Sequence, residues 1–472
     1  MDGDPQTAGV VFERDVSFIL GGKVHDVIRR QRAQRTPSRI EVPGLQCLVV
    51  GSGGREHAIT WRLLLDRAVG AVDVAPGNGG TSLIARNLDN LSIAEAHRIA
   101  QHAIKNQIDL AVIGPDDAIA AGVADEVRRS GVPTVGPSRE AGKLEWSKSF
   151  AKEVMEQAGV PTAPWWTFDD MDQFAEFARD AQRPLVVKAD GLAAGKGVVV
   201  ARDRDEALAA GRAALEERKF GDAGKRIVVE ECLVGDELSL HALVDGDVVV
   251  ALPTSRDYKR VGDGDTGANT GGMGAYSPSS RIDDAGAQPL VDRLIAPVAR
   301  ELVRRGTPYR GILYAGVLLA EDGPYVLEYN ARFGDPEAQV VLPRIAGDFS
   351  ALLLALAHGR LGAYLVEHPL ELSKDHAVDV VVAASGYPAK PTTGERIDGL
   401  FDLPSGTLVF HAGTRRVNDS FITAGGRVVH VVGRGATLAD ARAAAYRAVE
   451  GIRFPSAFHR SDIATPRAVH AS

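Results

Sequence analysis

Lys188-Ala189-Asp190-Gly191-Leu192-Ala193-Ala194-Gly195-Lys196-Gly197 decides how the chain is read. It holds the glycines and the lysine of a Walker A loop but not the spacing. That loop needs four residues between its first glycine and Gly-Lys, then Ser or Thr, then a helix. Here three residues intervene, Gly197 follows the lysine, and a valine-rich strand, Val198–Ala201, comes next. The pattern fits a hairpin lid between two strands, with Gly195, Lys196 and Gly197 free to close over a triphosphate. Lys188 ends the apolar strand Leu185–Val187. A cation there is costly without an anion, so its partner is either a ligand phosphate or a structural carboxylate.

Upstream, apolar strands and helices alternate from Leu45: Cys47–Val50, a glycine turn, a helix through Trp61–Leu65, Ala71–Ala75, a helix near 93–105, then Leu110–Gly114. Such a βαβ series predicts a doubly wound parallel sheet. A helix from Ser147 sets Phe150, Val154, Met155 and Ala158 on one stripe, with Gly159 at C′ and Pro161 barring continuation. It marks a domain transition. Downstream, Ile227–Glu231, Leu238–Val244, Val248–Ala251, Leu313–Leu319 and Tyr325–Tyr329 read as antiparallel α+β structure. Strands at 377–384, 407–411 and 427–432 with an Ala-rich helix at 437–450 read as a separate small α+β domain. The expected division is an extension over 1–44, a domain over 45–147, a second over 148–375 with its lid at about 165–235, and a third over 376–472.

Four further segments carry chemistry. The turn Gly51-Ser52-Gly53-Gly54-Arg55-Glu56-His57 follows a strand and opens a helix, so Gly53 and Arg55 offer amides to a phosphate. Tight packing explains the same glycines. Asp73 lies where a dinucleotide fingerprint wants an acid, but Glu56 occupies that fingerprint's third glycine position. The strand Val228–Cys232 runs into the polar turn Leu233–Glu237, a hinge whose Glu230, Glu231 and Leu233 suit adenine and whose Glu237 suits ribose hydroxyls.

In the third segment, Ser255–Arg260 leads through Asp263–Gly274, where glycine is dense enough to argue against helix and strand alike. A loop is expected, with Asp257, Lys259, Asn269, Thr270, Gly271, Gly272 and Met273 suited to a phosphorylated sugar. In the fourth, period-two alternation sets Tyr325, Leu327 and Tyr329 on one face and Val326, Glu328 and Asn330 on the other. Glu328 and Asn330 are hard oxygen donors for a Mg²⁺ ion that bridges phosphates, and Arg332, Asp335 and Glu337 follow at once.

Composition excludes other classes. The chain has 472 residues, 45% hydrophobic and 25% charged, which suits a multidomain globular protein. A net charge of -8 leaves no polybasic footprint for nucleic acid or a membrane surface. Two cysteines exclude a disulfide framework and fit a reducing, cytoplasmic setting. No apolar run approaches a membrane span. Residues 1–44 are polar and arginine-rich, but Asp2, Asp4, Glu13 and Asp15 argue against a transit peptide.

Taken in order, these segments resemble the phosphoribosylamine–glycine ligases of the ATP-grasp superfamily, from Leu45 to about Ile463. The carrying strings are Gly-Ser-Gly-Gly-Arg-Glu-His-Ala at 51–58, Ala-Pro-Gly-Asn-Gly-Gly-Thr at 75–81, the lid string at 188–197, Asn-Thr-Gly-Gly-Met-Gly-Ala-Tyr-Ser-Pro at 269–278 and Arg-Phe-Gly-Asp-Pro-Glu at 332–337. The resemblance implies a pre-ATP-grasp domain, an ATP-grasp pair split by a mobile lid, and a small C-terminal domain. It implies ATP-dependent ligation of glycine to 5-phosphoribosylamine through glycyl phosphate in purine biosynthesis, with Mg²⁺ or Mn²⁺, by a cytoplasmic monomer.

By family analogy Lys148 and Lys188 hold ATP phosphates, Glu231 and Leu233 the adenine edge, Glu237 the ribose, and Glu328 with Asn330 the metal. Glycine sits near Asp257, Arg332 and Asp335; Lys188, Arg332 and Asp257 are the catalytic set; Gly77 and Asn78 join the substrate contacts. Ala268 stands where the family's loop commonly has proline, and Ala331 where cysteine or serine is frequent. Two rivals remain: another ATP-grasp ligase or carboxylase, and a nicotinamide-dependent oxidoreductase resting on Gly51–Gly54 and Asp73. A catalytically silent nucleotide-binding regulator fits poorly with an intact Lys188, Glu328 and Asn330.

Overall fold

The computed structural model describes residues 44–192 and 197–465. The expected extension, apart from Gly44, and the lid residues Gly195 and Lys196 lie outside the described residues. Strands β1 (Leu45–Gly51), β2 (Val69–Pro76), β3 (Arg86–Asn87), β4 (Leu110–Ile113) and β5 (Thr134–Val135) form a parallel sheet in the order β3-β2-β1-β4-β5. Cys47, Leu48, Val49 and Val50 are all fully buried, because crossover helices cover both faces of such a sheet and leave no polar side to alternate. The order reverses between β1 and β4. That places the glycine turn and helix α1 (Gly54–Leu64) at the crevice where open α/β sheets receive ligands.

Two helices lead out of this domain, α2 (Arg139–Trp146) and α3 (Lys148–Gln157). Ser147 ends the first and caps the second, its hydroxyl accepting from the Phe150 amide. Gly159 takes the left-handed φ of 66° that closes α3. Strands β6 (Trp165–Phe168), β7 (Leu185–Ala189), β8 (Val198–Val200) and β9 (Ile227–Glu231) then build an antiparallel sheet in the order β6-β9-β7-β8. Phe174, Val187, Ala207, Ile227 and Val229 give it a core of its own. A subdomain packed on a private core can move as one body.

The chain continues through β10 (Asp236–Asp245), β11 (Val248–Ala251), β12 (Arg256–Asp257), β13 (Arg260–Gly262), β14 (Thr266–Asn269), β15 (Gly274–Ser277), β16 (Arg310–Ala320) and β17 (Gly323–Asn330). The central sheet has the order β11-β10-β16-β17. The region expected to be an open loop instead forms the hairpin β13–β14 and the flanking strands β12 and β15. Each is only two to four residues long, so glycine's weak strand propensity is offset by pairing at both ends.

Strands β18 (His376–Ala384), β19 (Arg396–Ile397), β20 (Leu408–His411), β21 (Thr414–Val417), β22 (Ser420–Thr423) and β23 (Arg427–Gly435) complete the fold with helix α4 (Leu438–Val449). The sheet of the last segment, expected as a small α+β domain over 376–472, takes in strands from outside that range. It runs β12-β15-β18-β23-β20, because β15 pairs with β18 from Gly274↔Val380 to Ser277↔Ala377. The strand pair that flanks the glycine-rich segment is therefore built into the C-terminal sheet. Ala441, Ala445 and Ala448 of α4 are fully buried. Their close seat requires Gly433, where a Cβ would come within 2.2 Å of the Ala441 carbonyl.

Candidate functional site

The lysines come first. Lys188, next to last in β7, sets its Nζ 2.7 Å from Glu230 Oε1 on the adjacent β9, and donates to the Leu327 carbonyl at 3.1 Å. Lys152, on the inner side of α3, places its Nζ 3.1 Å from the same Glu230 oxygen and donates to Thr162 Oγ1, which in turn donates to the Val326 carbonyl. Both ammonium groups and the carboxylate are buried. A structural carboxylate for Lys188 is thus present, but two cations share it, and the surplus positive charge faces the cleft. Burial pushes Lys152 down to about 8, against the pull of Glu230. Lys148, at the first turn of α3, is also lowered by burial, with Glu328 opposing. Asp190 joins α3 to the lid by accepting the Ser149 amide at 3.1 Å and its hydroxyl at 2.5 Å.

At the end of β17 the expected alternation fails. Gly316 pairs with Glu328 and Val317 with Val326, so Leu327 is an extra residue in the ladder, a β-bulge. Val326 and Tyr329 therefore both enter the core, three residues apart, while Leu327 is only partly buried and Tyr325 turns its hydroxyl to Asp322. Val326 does not share a face with Glu328 and Asn330. Glu328 stays partly exposed at the cleft. Burial raises its carboxyl, but Lys259, Lys188, Lys148 and Arg332 together hold it below its usual value.

Asn330 Oδ1 accepts from Arg332 Nη2 at 3.1 Å, and the same nitrogen lies 2.7 Å from Glu145 Oε1. Among the described residues no group of three or more His, Cys, Asp and Glu is placed to hold a metal ion. Glu328 and Asn330 offer two hard oxygens, a set suited to an ion that takes its remaining ligands from phosphate and water. Lys259, 3.8 Å from Glu328 and 3.5 Å from Glu237, places a positive charge at the same oxygens.

The loop residues gather beside this strand end. Burial pushes Asp257 up to about 8, with Lys259 pulling down and Glu337, Glu237 and Glu328 pushing up. Thr270 donates its amide and its hydroxyl to the Lys259 carbonyl, and the hydroxyl accepts from the Gly272 amide at 2.9 Å. Gly272 takes φ 115° with Pro336 so near that a Cβ would lie 2.3 Å from its Cδ. Met273 is fully buried, its backbone bonded to Tyr258 and Val381, so it anchors the loop from within. Asn269 pairs with Arg260 in the β13–β14 hairpin.

Arg427, from the C-terminal segment, donates to the Gly271 carbonyl at 2.8 Å and the Asp335 carbonyl at 2.6 Å, and lies 3.3 Å from Asp335 Oδ1. Tyr387 donates nothing here; its hydroxyl accepts the Gly271 amide at 3.0 Å. Asp335 also takes Gln339 at 2.9 Å and the Arg55 amide at 3.2 Å, with His430 3.5 Å away. Against the penalty of burial, Arg427, His430 and Arg55 hold its carboxyl far below the usual range.

The glycine turn is satisfied from within. The Gly53 amide goes to Glu56 Oε2 at 2.6 Å and the Arg55 amide to Asp335 Oδ2, so protein carboxylates take the amides expected to meet a phosphate. Arg55 spends its side chain on Glu56 and the Phe333 carbonyl. Asn78 donates to the carbonyls of Ser52 and His411 and accepts from Gly80 and Thr81; Gly77, at φ 83°, leaves room for Asn87. Asn78 thereby rivets the turn to the C-terminal segment. Asp73 is taken by Arg86 at 2.7 Å and His102 at 2.7 Å, which leaves the dinucleotide reading without its acid. At the hinge, Glu231 meets Arg183 at 3.2 Å, Leu233 is partly buried, and Glu237, also partly buried, lies 3.5 Å from Lys259.

Sequence reasoning missed Glu145, Lys152, Arg427 and Tyr387. Lys152 left a trace, since it lies four residues from Lys148 on a helix whose inner stripe is apolar. Like charges at that spacing repel unless an acid from elsewhere serves one of them.

Comparison with known proteins settles the family. Residues 45–145, 146–338 and 377–466 match the N, ATP-grasp (A) and C domains of phosphoribosylglycinamide synthetase. A phosphoribosylamine–glycine ligase of Halalkalibacterium halodurans is 42% identical over 419 residues, covering 89% of this chain and 96% of its own. The chain belongs to the phosphoribosylamine–glycine ligase family. The Caulobacter vibrioides ligase is 43% identical over 421 residues, covering 89% of this chain and 97% of its own. The crystal structure of the ligase from Thermotoga maritima superimposes with a TM-score of 0.77 at 34% identity, covering 89% of this chain and all of that one. The biotin carboxylase domain of Hydrogenobacter thermophilus 2-oxoglutarate carboxylase, crystallised with ADP, magnesium and bicarbonate, reaches a TM-score of 0.69 at 17% identity over 88% of this chain and 91% of that one, a likeness of fold alone. Membership makes the chain an ATP-dependent carbon–nitrogen ligase of purine biosynthesis, and the oxidoreductase and carboxylase rivals fall away.

Proposed function

We propose that the chain joins glycine to 5-phosphoribosylamine through glycyl phosphate. The observation that carries this reading is that Lys188 of β7 donates to the Leu327 carbonyl of β17 at 3.1 Å and Lys259 lies 3.8 Å from Glu328, whose carboxyl Lys148 and Arg332 also pull down. Four cations around one carboxylate suit a triphosphate and a substrate carboxylate brought together.

Glycine's carboxylate is a poor electrophile. One of its oxygens attacks the γ-phosphorus of ATP, the bond to ADP breaks, and an acyl phosphate forms. The amine of phosphoribosylamine attacks that carbonyl, loses its proton, and phosphate leaves with the oxygen that glycine supplied. No protein nucleophile is needed. Lys148 and Lys188 neutralise the phosphates, Arg332 with Asp257 and Asp335 orients glycine, and Lys259 with Asn269–Met273 and the Gly53–Arg55 and Gly77–Asn78 turns frames the phosphosugar.

Glu231, Leu233 and Glu237 line the nucleoside. Glu328 and Asn330 would hold Mg²⁺ or Mn²⁺, which supplies charge neutralisation across the phosphates. Cytoplasmic action fits two unpaired cysteines, and no described helix is long and apolar enough to cross a membrane.

Glycine labelled with heavy oxygen in its carboxylate tests the path. One labelled oxygen should appear in the phosphate released per turnover. Unlabelled phosphate would exclude glycyl phosphate.

A further inference from the structure

Glu145 lies outside every motif that carries the family, on the last turn of α2, three residues before Lys148. Its side chain is only 6% exposed. Oε1 lies 2.7 Å from Arg332 Nη2, and Oε2 accepts the Ala331 amide at 2.7 Å. One carboxylate thus holds both the guanidinium read as glycine's cation and the peptide that links it to Asn330.

Among the described residues no other carboxylate is in ion-pair contact with Arg332, and Asp116, Glu337 and Asp335 act on it only from further off. Arg332 otherwise donates to two neutral acceptors, the Phe333 carbonyl at 3.1 Å and Asn330 Oδ1 at 3.1 Å. Its Nε is buried without a protein partner. A planar guanidinium held by a carboxylate on one edge has its orientation set by that contact. Burial raises Glu145, to about 7, while Arg332 pulls it down, so the pair is a dry one in which each charge needs the other. Lys148 feels both Glu145 and Glu328. The joint between α2 and α3 therefore delivers a phosphate-facing lysine and the anchor of the glycine-facing arginine to one strand end.

We propose that Glu145 is a positioning residue for glycine: it sets the plane of Arg332 and, through the Ala331 amide, the strand end that carries Asn330. The inference rests on the reading of Arg332 as a glycine contact.

Glu145→Gln keeps the shape and an acceptor for the Ala331 amide but removes the charge. Steady-state kinetics should show the glycine KM rising on the order of tenfold or more, with kcat less affected and the ATP KM within about twofold, since misorientation is felt most by the ligand that the group orients. Arg332→Lys should raise the glycine KM by itself. The double variant should be little worse than Arg332→Lys alone, because the two residues act as one unit.

If Arg332→Lys raises the glycine KM but Glu145→Gln leaves it within about twofold of wild type, or if the two effects multiply, the positioning role is wrong while the reading of Arg332 stands. If Arg332→Lys leaves the glycine KM unchanged, that reading fails and takes the inference with it. Should Glu145→Gln lose more than about 5 °C of melting temperature, Glu145→Asp serves in its place. It keeps the charge but is too short to reach Arg332 and Ala331 together, and an unchanged glycine KM would overturn the proposal equally.

Discussion

Glu328 meets the site through its charge more than through packing. It is partly exposed at the cleft, and Lys259 lies 3.8 Å from its carboxylate. Glu328→Gln preserves shape and volume, so circular dichroism should remain native. The loss of one charged ligand for a phosphate-bridging cation should lower kcat on the order of a hundredfold, with partial rescue by raised magnesium. A folded variant within about threefold of wild type at limiting magnesium would make Glu328 structural. At this scale the sequence showed the residues that sit in motifs, such as Lys188, Glu328 and Arg332. It hid their partners. Glu230 was read as an adenine neighbour, yet its carboxylate serves Lys152 and Lys188. Glu145 is 187 positions from Arg332, and no local pattern in one chain marks such a pair.

Elements were legible where burial is simple. The strands β1, β2 and β4 read as continuous apolar runs because both faces of a parallel sheet are covered. Of the lid strands, β7, β8 and β9 came out within a residue or so, while β6 was not read. Two further features escaped. The bulge at Leu327 resets the alternation of β17, and a period-two template cannot foresee an inserted residue. The pairing of β15 with β18 joins residues about a hundred positions apart, and glycine density pointed to an open loop. That loop needs glycine at one point, since Gly272 sits at φ 115° with Pro336 where a Cβ would go. Gly272→Ala should cost about 1–3 kcal/mol and lower the melting temperature by roughly 2–10 °C, read by calorimetry. An unchanged transition would mean that the loop relaxes freely and that its glycine is incidental.

Across the whole molecule, the site is complete only where all three family segments meet. Arg55 comes from the first, Asp335 from the second and Arg427 from the third, and Asp335 touches both of the others. The C-terminal sheet is extended by β12 and β15, the strands that flank the β13–β14 hairpin, and so ties the third family segment to the second. On the path proposed above, ATP should stay idle until both partners of the ligation are bound, because glycine's carboxylate would accept the γ-phosphoryl group and the amine would discharge the acyl phosphate. The direct test is an assay of ADP release with freshly prepared phosphoribosylamine, omitting each substrate in turn. Sustained ADP release should require glycine and phosphoribosylamine together; equal turnover with glycine withheld would contradict the account.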